Sequence, residues 1–268
     1  MMRSLWSAAS GMLGQQMNVD VIANNLANVN TSGFKKSRLE FKDLLYETLK
    51  RTNIYEDGRG NPVGIQVGHG VRPSATARLF TQGNIQNTGN PFDLAIEGDG
   101  FFVVELPDGS RAYTRDGAFK LTLSDFDRKL VTSEGYKVLS ADEDEIIIYE
   151  ELENITIAED GTITGLNEDG EIEEIGKIAI AKFTNPAGLE AIGKNLYVET
   201  AASGEARIKV DDDEPGYGTI LQYFLEMSNV QVVEEMVNLI TAQRAYEVSS
   251  KAVQTSDEML AQANNLRR

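Results

Sequence analysis

The stretch GLEAIGKN, Gly188 to Asn195, comes nearest to a catalytic motif in this chain. It keeps the glycine and lysine spacing of a phosphate-binding loop up to its last position, where Asn195 replaces the Ser or Thr that would hold magnesium. Bulky Leu189, Glu190 and Ile192 fill the loop, and the following NLYVET reads as a strand, not as the helix whose N-terminus would face a phosphate. Two acidic runs suggest calcium, Asp142, Asp144 and Glu145 in one and Asp211, Asp212 and Asp213 in the other. Neither has the spaced ligands and glycine of a loop that wraps the ion. Nothing singles out two carboxylates for glycoside chemistry. The chain contains no cysteine, so disulfides, thiolate catalysis and thiolate metal sites are excluded together. Its one histidine, His69, lies in GHG and reads as a solvated loop residue. The expectation is a protein that is not an enzyme and holds no cofactor and no metal.

Charge and hydropathy narrow the partners. Against 25 Lys and Arg stand 42 Asp and Glu, for a net charge of -17 over 268 residues. Such a surface repels phosphate, so nucleic acid is not an expected partner. The 41% hydrophobic content is enough for one or two cores. The charge is uneven: Val138 to Gly176 carries 14 acidic residues and no Lys or Arg, and reads as a solvated outer surface. No stretch reaches the ~20 apolar residues that span a bilayer, so direct membrane insertion is not expected. The residues after Arg3 are broken by Ser4, Ser7, Ser10 and Gln15 and lack the apolar core of a cleavable secretory signal.

The elements that would position any site fall into three parts. At the front, Leu5, Met12, Val19 and Leu26 recur every seven residues, with Ala8, Ile22 and Val29 three further on, which predicts an amphipathic helix with an apolar seam. At the back the same step links Val232, Leu239, Tyr246, Val253 and Leu260, beside a mixed row of Met236, Gln243, Ser250 and Asp257. Such seams are either helix-pairing surfaces with polar register marks or ordinary helices packed on their own domain. The front helix is expected to stop at Asn30 to Gly33, followed by a basic segment with a short helix within Phe34 to Arg51 and a glycine-rich connector from Asn53 to Gly70. From Val71 the texture is β: apolar runs alternate with Asp-Gly pairs at Asp99, Asp108, Asp116, Asp160 and Asp169. Pro215 and Gly216 then mark the return to helix near Ile220. The fold class is α+β, an antiparallel β-sandwich or barrel-like middle domain with long N- and C-terminal helices that pair as a discontinuous coiled-coil domain. In domains, 1-33 with 220-268 form the helical assembly domain, 34-70 the connecting segment and 71-219 the β-rich outer domain.

Two long motifs carry a family resemblance. ANNLANVNTSGFKKS, Ala23 to Ser37, resembles the N-terminal signature of the rod and hook axial proteins of the bacterial flagellum, and SNVQVVEEMVNLITAQRAYEVSSKAVQTSDEML, Ser228 to Leu260, resembles their C-terminal signature. FDLAIEGDGFFVV, PDGSRAYTRDGAF and GLEAIGKNLY in the middle look like the distal-rod branch, and the chain has little room for the extra outer domain of hook proteins. The acidic Ala141 to Glu174 stretch departs from the pattern. The resemblance implies a structural rod subunit that polymerises into a rigid helical tube, with terminal helices on the inner wall and a β-domain outside, and that passes torque from motor to hook. It implies contact with further copies of itself, proximal rod proteins, hook protein, the flagellar export apparatus and surrounding ring proteins, and a place in the basal body outside the cytoplasmic membrane, in periplasm or cell wall. Within the motifs, Asn24, Asn25, Asn28 and Asn30 are expected to cap helix ends, to fix register across subunits, or to form a polar channel face. Gln243, Arg244 and Tyr246 lie within one turn and suit an anchor, between subunits or within one, because Arg makes bidentate contacts and Tyr joins apolar area to a polar tip. The alternatives are a proximal rod subunit of the same family and a secreted β-rich binding module.

Overall fold

The computed structural model describes residues 2–51, 53–54, 60–61, 63–124, 127–142, 144–149, 152–167, 171–209 and 216–265. They divide into two compact units. The first comprises Met1–Ala27, Ser37–Arg78 and Gln231–Arg268; the second comprises Asn28–Lys36 and Leu79–Val230.

In the first unit, α1 (Met2–Ala27) and α2 (Val232–Asn265) pack side by side. The seven-residue periodicity accounts for both. Glu234 and Glu235 in the first turn of α2 suit the positive end of its dipole. Ser37–Asp43 pairs antiparallel with Val71–Arg78, Tyr46–Lys50 with Ile65–Gly68, and Asn53–Ile54 with Gly60–Asn61. These nested pairings form one long two-stranded ribbon, bulged at Glu40/Phe41 and Thr48/Lys50.

The ribbon corrects the short helix expected within Phe34 to Arg51. The alternation in SRLEFKD, where Leu39 and Phe41 are interleaved with charged residues, has the period of a strand, and Val71–Arg78 supplies the partner backbone. The expected connector from Asn53 to Gly70 forms the far part of the ribbon, and its residues 55–59 and 62 lie outside the described residues. Two glycines let the ribbon approach α1. A β-carbon on Gly14 would sit 3.0 Å from the Phe41 ring. One on Gly70, at φ +110, would run into the Ser10 hydroxyl that accepts the Val71 N–H.

The second unit is built from antiparallel strands. Its largest sheet runs in the order Lys120–Ser124, Asp127–Val131, Lys137–Val138, Phe101–Glu105, Arg111–Thr114, Leu196–Val198 and Glu190–Gly193. Phe101–Glu105 is buried on both faces. Phe102 and Val104 join a core with Leu94, Ile96, Leu130, Ile163 and Ile180, whereas Phe101 and Val103 join a second with Tyr113, Phe183 and Tyr197. Alternate residues on a strand point to opposite faces, which is why this run is continuously apolar. Each fully buried side chain of this kind contributes about 1.5–3 kcal/mol. Asp108-Gly109 and Asp160-Gly161 close hairpins, with the glycines at φ +80 and +97. The pairs at Asp99 and Asp116 join strands that do not pair with each other, and Asp169 lies outside the described residues.

The chain does not return to helix near Ile220. Thr219–Gln222 pairs with Leu94–Glu97 and Phe224–Glu226 pairs with Ile85–Asn87, separated by Tyr223 at φ +72. Preformed strand edges supply these residues with backbone partners, which overrides any local helical preference. Together the units make a mostly β middle flanked in sequence by an N-terminal and a C-terminal helix, an α+β protein. No helix among the described residues is long and apolar enough to cross a membrane.

Candidate assembly interface

Within the first unit the two helices meet along a seam of small and polar residues. Ser4 Oγ lies 3.2 Å from Ser256 Oγ, a β-carbon on Gly11 would stand 3.3 Å from Ser249 Oγ, and Asn25 Nδ2 lies 3.2 Å from Glu235 Oε2. Each step along α1 takes an equal step back along α2, so the helices run antiparallel in constant register. The most buried row of α2 is therefore Glu235, Ala242 and Ser256, facing Ala8, Ile22 and Asn25. Ala8, Gly11, Ala242, Ser249 and Ser256, the small residues of this seam, let the backbones approach closely.

The apolar rows flank this seam. Leu5, Met12, Val19 and Leu26 are half-buried on α1, as are Leu239, Val253 and Leu260 on α2, while Val232 and Tyr246 are exposed. Each row retains uncovered surface after the chain has paired its own helices. Further apolar side chains lie fully outside: Trp6 is 70% exposed, with Leu13 and Met17 beyond it, and Val233 (76%), Val237, Ile240 and Val248 (67%) follow one stripe of α2. Apolar surface left outside in this concentration makes the helix pair the candidate interaction face.

The motif asparagines separate in role. The Asn25 side chain donates through Nδ2 to Ser37 O at 2.8 Å and accepts from Ser37 N–H at 2.9 Å. With its contact to Glu235 it fastens together the end of α1, the start of the ribbon and the first turn of α2. Asn24 is exposed, as is Asn30. Asn28 receives the Thr31 N–H and hydroxyl where the chain leaves the helix, and the turn closes at Gly33, φ +66. Gln243 and Tyr246 line a groove of about 390 Å³ with Gln16, Val19 and Glu247, and Arg244 pairs with Glu247 at 2.9 Å on the exposed surface.

Sequence reasoning missed a buried ionic cluster in the second unit. Glu226 Oε1 accepts from Lys35 Nζ at 2.5 Å and from Gly83 N–H at 2.7 Å, and its Oε2 accepts from Arg115 Nη1 at 3.2 Å. Lys35 also donates to Thr81 O, and the Arg115 guanidinium donates to Ile96 O and Gly98 O and lies 5.4 Å from the centre of the Phe101 ring. Burial pushes both cations below their usual ranges, opposed in each by the Glu226 carboxylate. Around the cluster, Gly33 N–H donates to Glu226 O, Lys36 N–H to Asn229 Oδ1 and Leu79 N–H to Lys36 O. The residues come from positions 35, 115 and 226, so no local spacing announces them; FKKS reads as an ordinary basic stretch.

The chemical candidates resolve differently. GLEAIGKN is a hairpin in which Glu190–Gly193 pairs with Leu196–Val198 across Lys194 and Asn195, at φ +53 and +58. Lys194 is engaged with Glu134 at 2.9 Å and with the Tyr136 hydroxyl at 3.0 Å, so it faces no phosphate cradle. Glu145 is taken by Lys129 and Lys137, Asp142 and Asp144 are exposed, and Asp211, Asp212 and Asp213 lie outside the described residues. Among the described residues no group of acids or histidine is arranged to hold a metal. His69 is half-buried in the loop before Gly70.

Comparison with known proteins gives a consistent likeness along the chain. The family described as "Flagella basal body rod protein" matches residues 5–35, "Flagellar hook protein FlgE/F/G D1 domain" matches 95–165, and "Flagellar basal body rod FlgEFG protein C-terminal" matches 221–266. A flagellar basal-body rod protein FlgG from Borreliella burgdorferi is 54% identical over 271 residues, covering 100% of both chains. Its namesake in Caulobacter vibrioides is 45% identical over 99% of this chain and 100% of its own. The one in Bacillus subtilis is 40% identical over 100% of both.

Proposed function

Because the chain belongs to the family of flagellar basal-body rod proteins, in which it is a structural subunit of the distal rod and not an enzyme, we propose that its terminal helices are the polymerising element. The observation that carries this reading is the apolar surface left on both helices once they have paired: Trp6, Leu13, Val233, Val237, Ile240 and Val248 all remain outside. A helix exposing such a stripe gains its stabilisation from a further partner, and in a rod that partner is another copy.

On this reading the N- and C-terminal helices pair as a discontinuous coiled-coil domain, and its seven-residue rows meet neighbouring copies. Leu5, Met12, Val19, Leu26, Val232, Leu239, Val253 and Leu260 form its apolar part, Asn24, Gln243, Arg244 and Tyr246 fix its register, and Asn25 and Asn28 hold the end of α1 from which the row starts. The residues from 34 to 70 serve as a segment held between neighbours, and the β-rich middle is a sandwich-like outer domain. The polymer is a helical tube that transmits torque, and contiguous packing of many subunits gives it stiffness. Its neighbours are proximal rod proteins at one end and hook protein at the other, with ring proteins around it. It reaches periplasm or cell wall through the flagellar export apparatus. Negative-stain micrographs of the concentrated protein test the central claim: tubes are expected, and a protein that stays monomeric at every concentration and ionic strength would oppose it.

A further inference from the structure

We propose that Trp6 of one copy inserts into the groove between α1 and α2 of a second copy, against Val19 and Tyr246; this rests on the polymer reading above. Trp6 is the one tryptophan in the chain, and its indole stands 70% exposed on α1. An aromatic side chain of this size buries about 150–250 Å² when it finds a site. The groove has the complementary chemistry. Val19 and Tyr246 give it apolar walls, and Gln16, Gln243 and Glu247 place side-chain oxygens around it that accept the indole N–H. Its volume of about 390 Å³ lies near the lower end of the roughly 300–1,000 Å³ of pockets that hold one small molecule, which suits a single ring system and not a helix.

The placement of knob and groove determines what kind of assembly follows. At about 1.5 Å per residue, Trp6 lies roughly 15–20 Å along α1 from Gln16 and Val19, and at 3.6 residues per turn it points about 140° away from Val19. A chain therefore cannot fill its own groove. The copy that receives its indole lies on a different side from the copy that supplies one. A contact between two different patches is heterologous and propagates, where a self-complementary patch would close a dimer. The same two features thus specify both the partner, another copy of this chain, and a head-to-tail contact, which builds an open helical filament wherever its rotation does not close a ring.

Two measurements on the full-length protein test this. With a single tryptophan, the emission spectrum reports Trp6 alone, and it should shift to the blue and lose accessibility to a soluble quencher as tubes form. Since the chain has no cysteine, the double variant Trp6→Cys/Gln243→Cys under mild oxidation should give a ladder of covalent oligomers, while either single variant, whose thiols face no like thiol in a heterologous contact, should stay monomeric. Tubes in micrographs with unchanged emission and no ladder would overturn the contact and leave the polymer reading standing. Neither tubes nor a ladder would overturn both. A blue shift that appears only with anionic lipid vesicles would assign Trp6 to a lipid surface and also overturn the contact.

Discussion

Replacing Glu226 with Gln tests the buried cluster of the second unit. Lys35, Arg115 and Glu226 are at most 4% exposed and together carry a charge of +1, from two cations and one carboxylate. The substitution keeps the shape and an acceptor oxygen but raises the buried charge to +2. Breaking a buried pair by removing one partner costs about 3–5 kcal/mol. At ~2–4 °C per kcal/mol for a unit of this size, the Tm should fall by about 6–20 °C. The variant also has a pH signature. Burial holds the Lys35 amine below its usual range and the carboxylate partly restores it. A lysine lowered in the folded state binds its proton more weakly there than in the unfolded chain, so stability rises as pH climbs from the folded value toward about 10.4. Without Glu226 that value falls further and the rise becomes larger. Urea denaturation of the full-length protein, read from the near-ultraviolet circular dichroism of buried Tyr113 and Tyr197, should show the loss at neutral pH and partial recovery near pH ~9.5. Adding Lys35→Met should abolish the recovery. A Glu226→Gln protein within about 0.5 kcal/mol of wild type, or one with the wild-type pH slope, would refute the reasoning.

Residues 28–230 alone should melt cooperatively and remain soluble without polymerising, whereas removing Met1 to Thr31 together with Leu221 to Arg268 should not leave a folded core, because that cut deletes Glu226 and the partners of Leu94, Ala95 and Ile85–Asn87; calorimetry on both fragments decides. Leu239→Asp or Val253→Asp should cost several kcal/mol per subunit by placing a charge in an apolar contact, so that no polymer pellets on ultracentrifugation and cells carrying only the variant do not swim. Asn25→Ala removes both bonds to the Ser37 backbone and one to Glu235, and the urea midpoint of the helical circular dichroism should drop by the equivalent of about 1–3 kcal/mol. Gly70→Ala, at φ +110 and against Ser10, should lower that midpoint by a similar ~1–3 kcal/mol.

The helices and the two Asp-Gly hairpins were legible because their signals are local: a seven-residue step, or a turn pair between apolar runs. Residues 219–226 were not, since TILQYFLE carries no strict alternation and its strand identity comes from edges more than a hundred positions away. Ser37–Asp43 did show its period of two, but Leu44, Leu45 and Leu49 beyond it mimic helical spacing. In the assembly region, the rows through Val19 and Leu239 could be read from spacing alone. The contact within the chain could not, because it uses Gly11, Ala242, Ser249 and Ser256, whose value lies in being small. The Lys35, Arg115 and Glu226 cluster had no sequence signal at all, being defined only once three distant segments are folded together.

The hydrogen bonds that gather around this cluster give the chain a modular plan. Lys36 and Leu79 are joined through one backbone bond, and Phe34 O receives the Asn229 N–H. The chain therefore leaves the β unit for the ribbon and comes back to it at a single spot, and its first and last segments are likewise neighbours. Closing such a gap requires little more from a long insert than from a short one, because loop entropy grows only with the logarithm of length. Everything between 36 and 79 can accordingly be lengthened, trimmed or exchanged through evolution while the β unit keeps its fold.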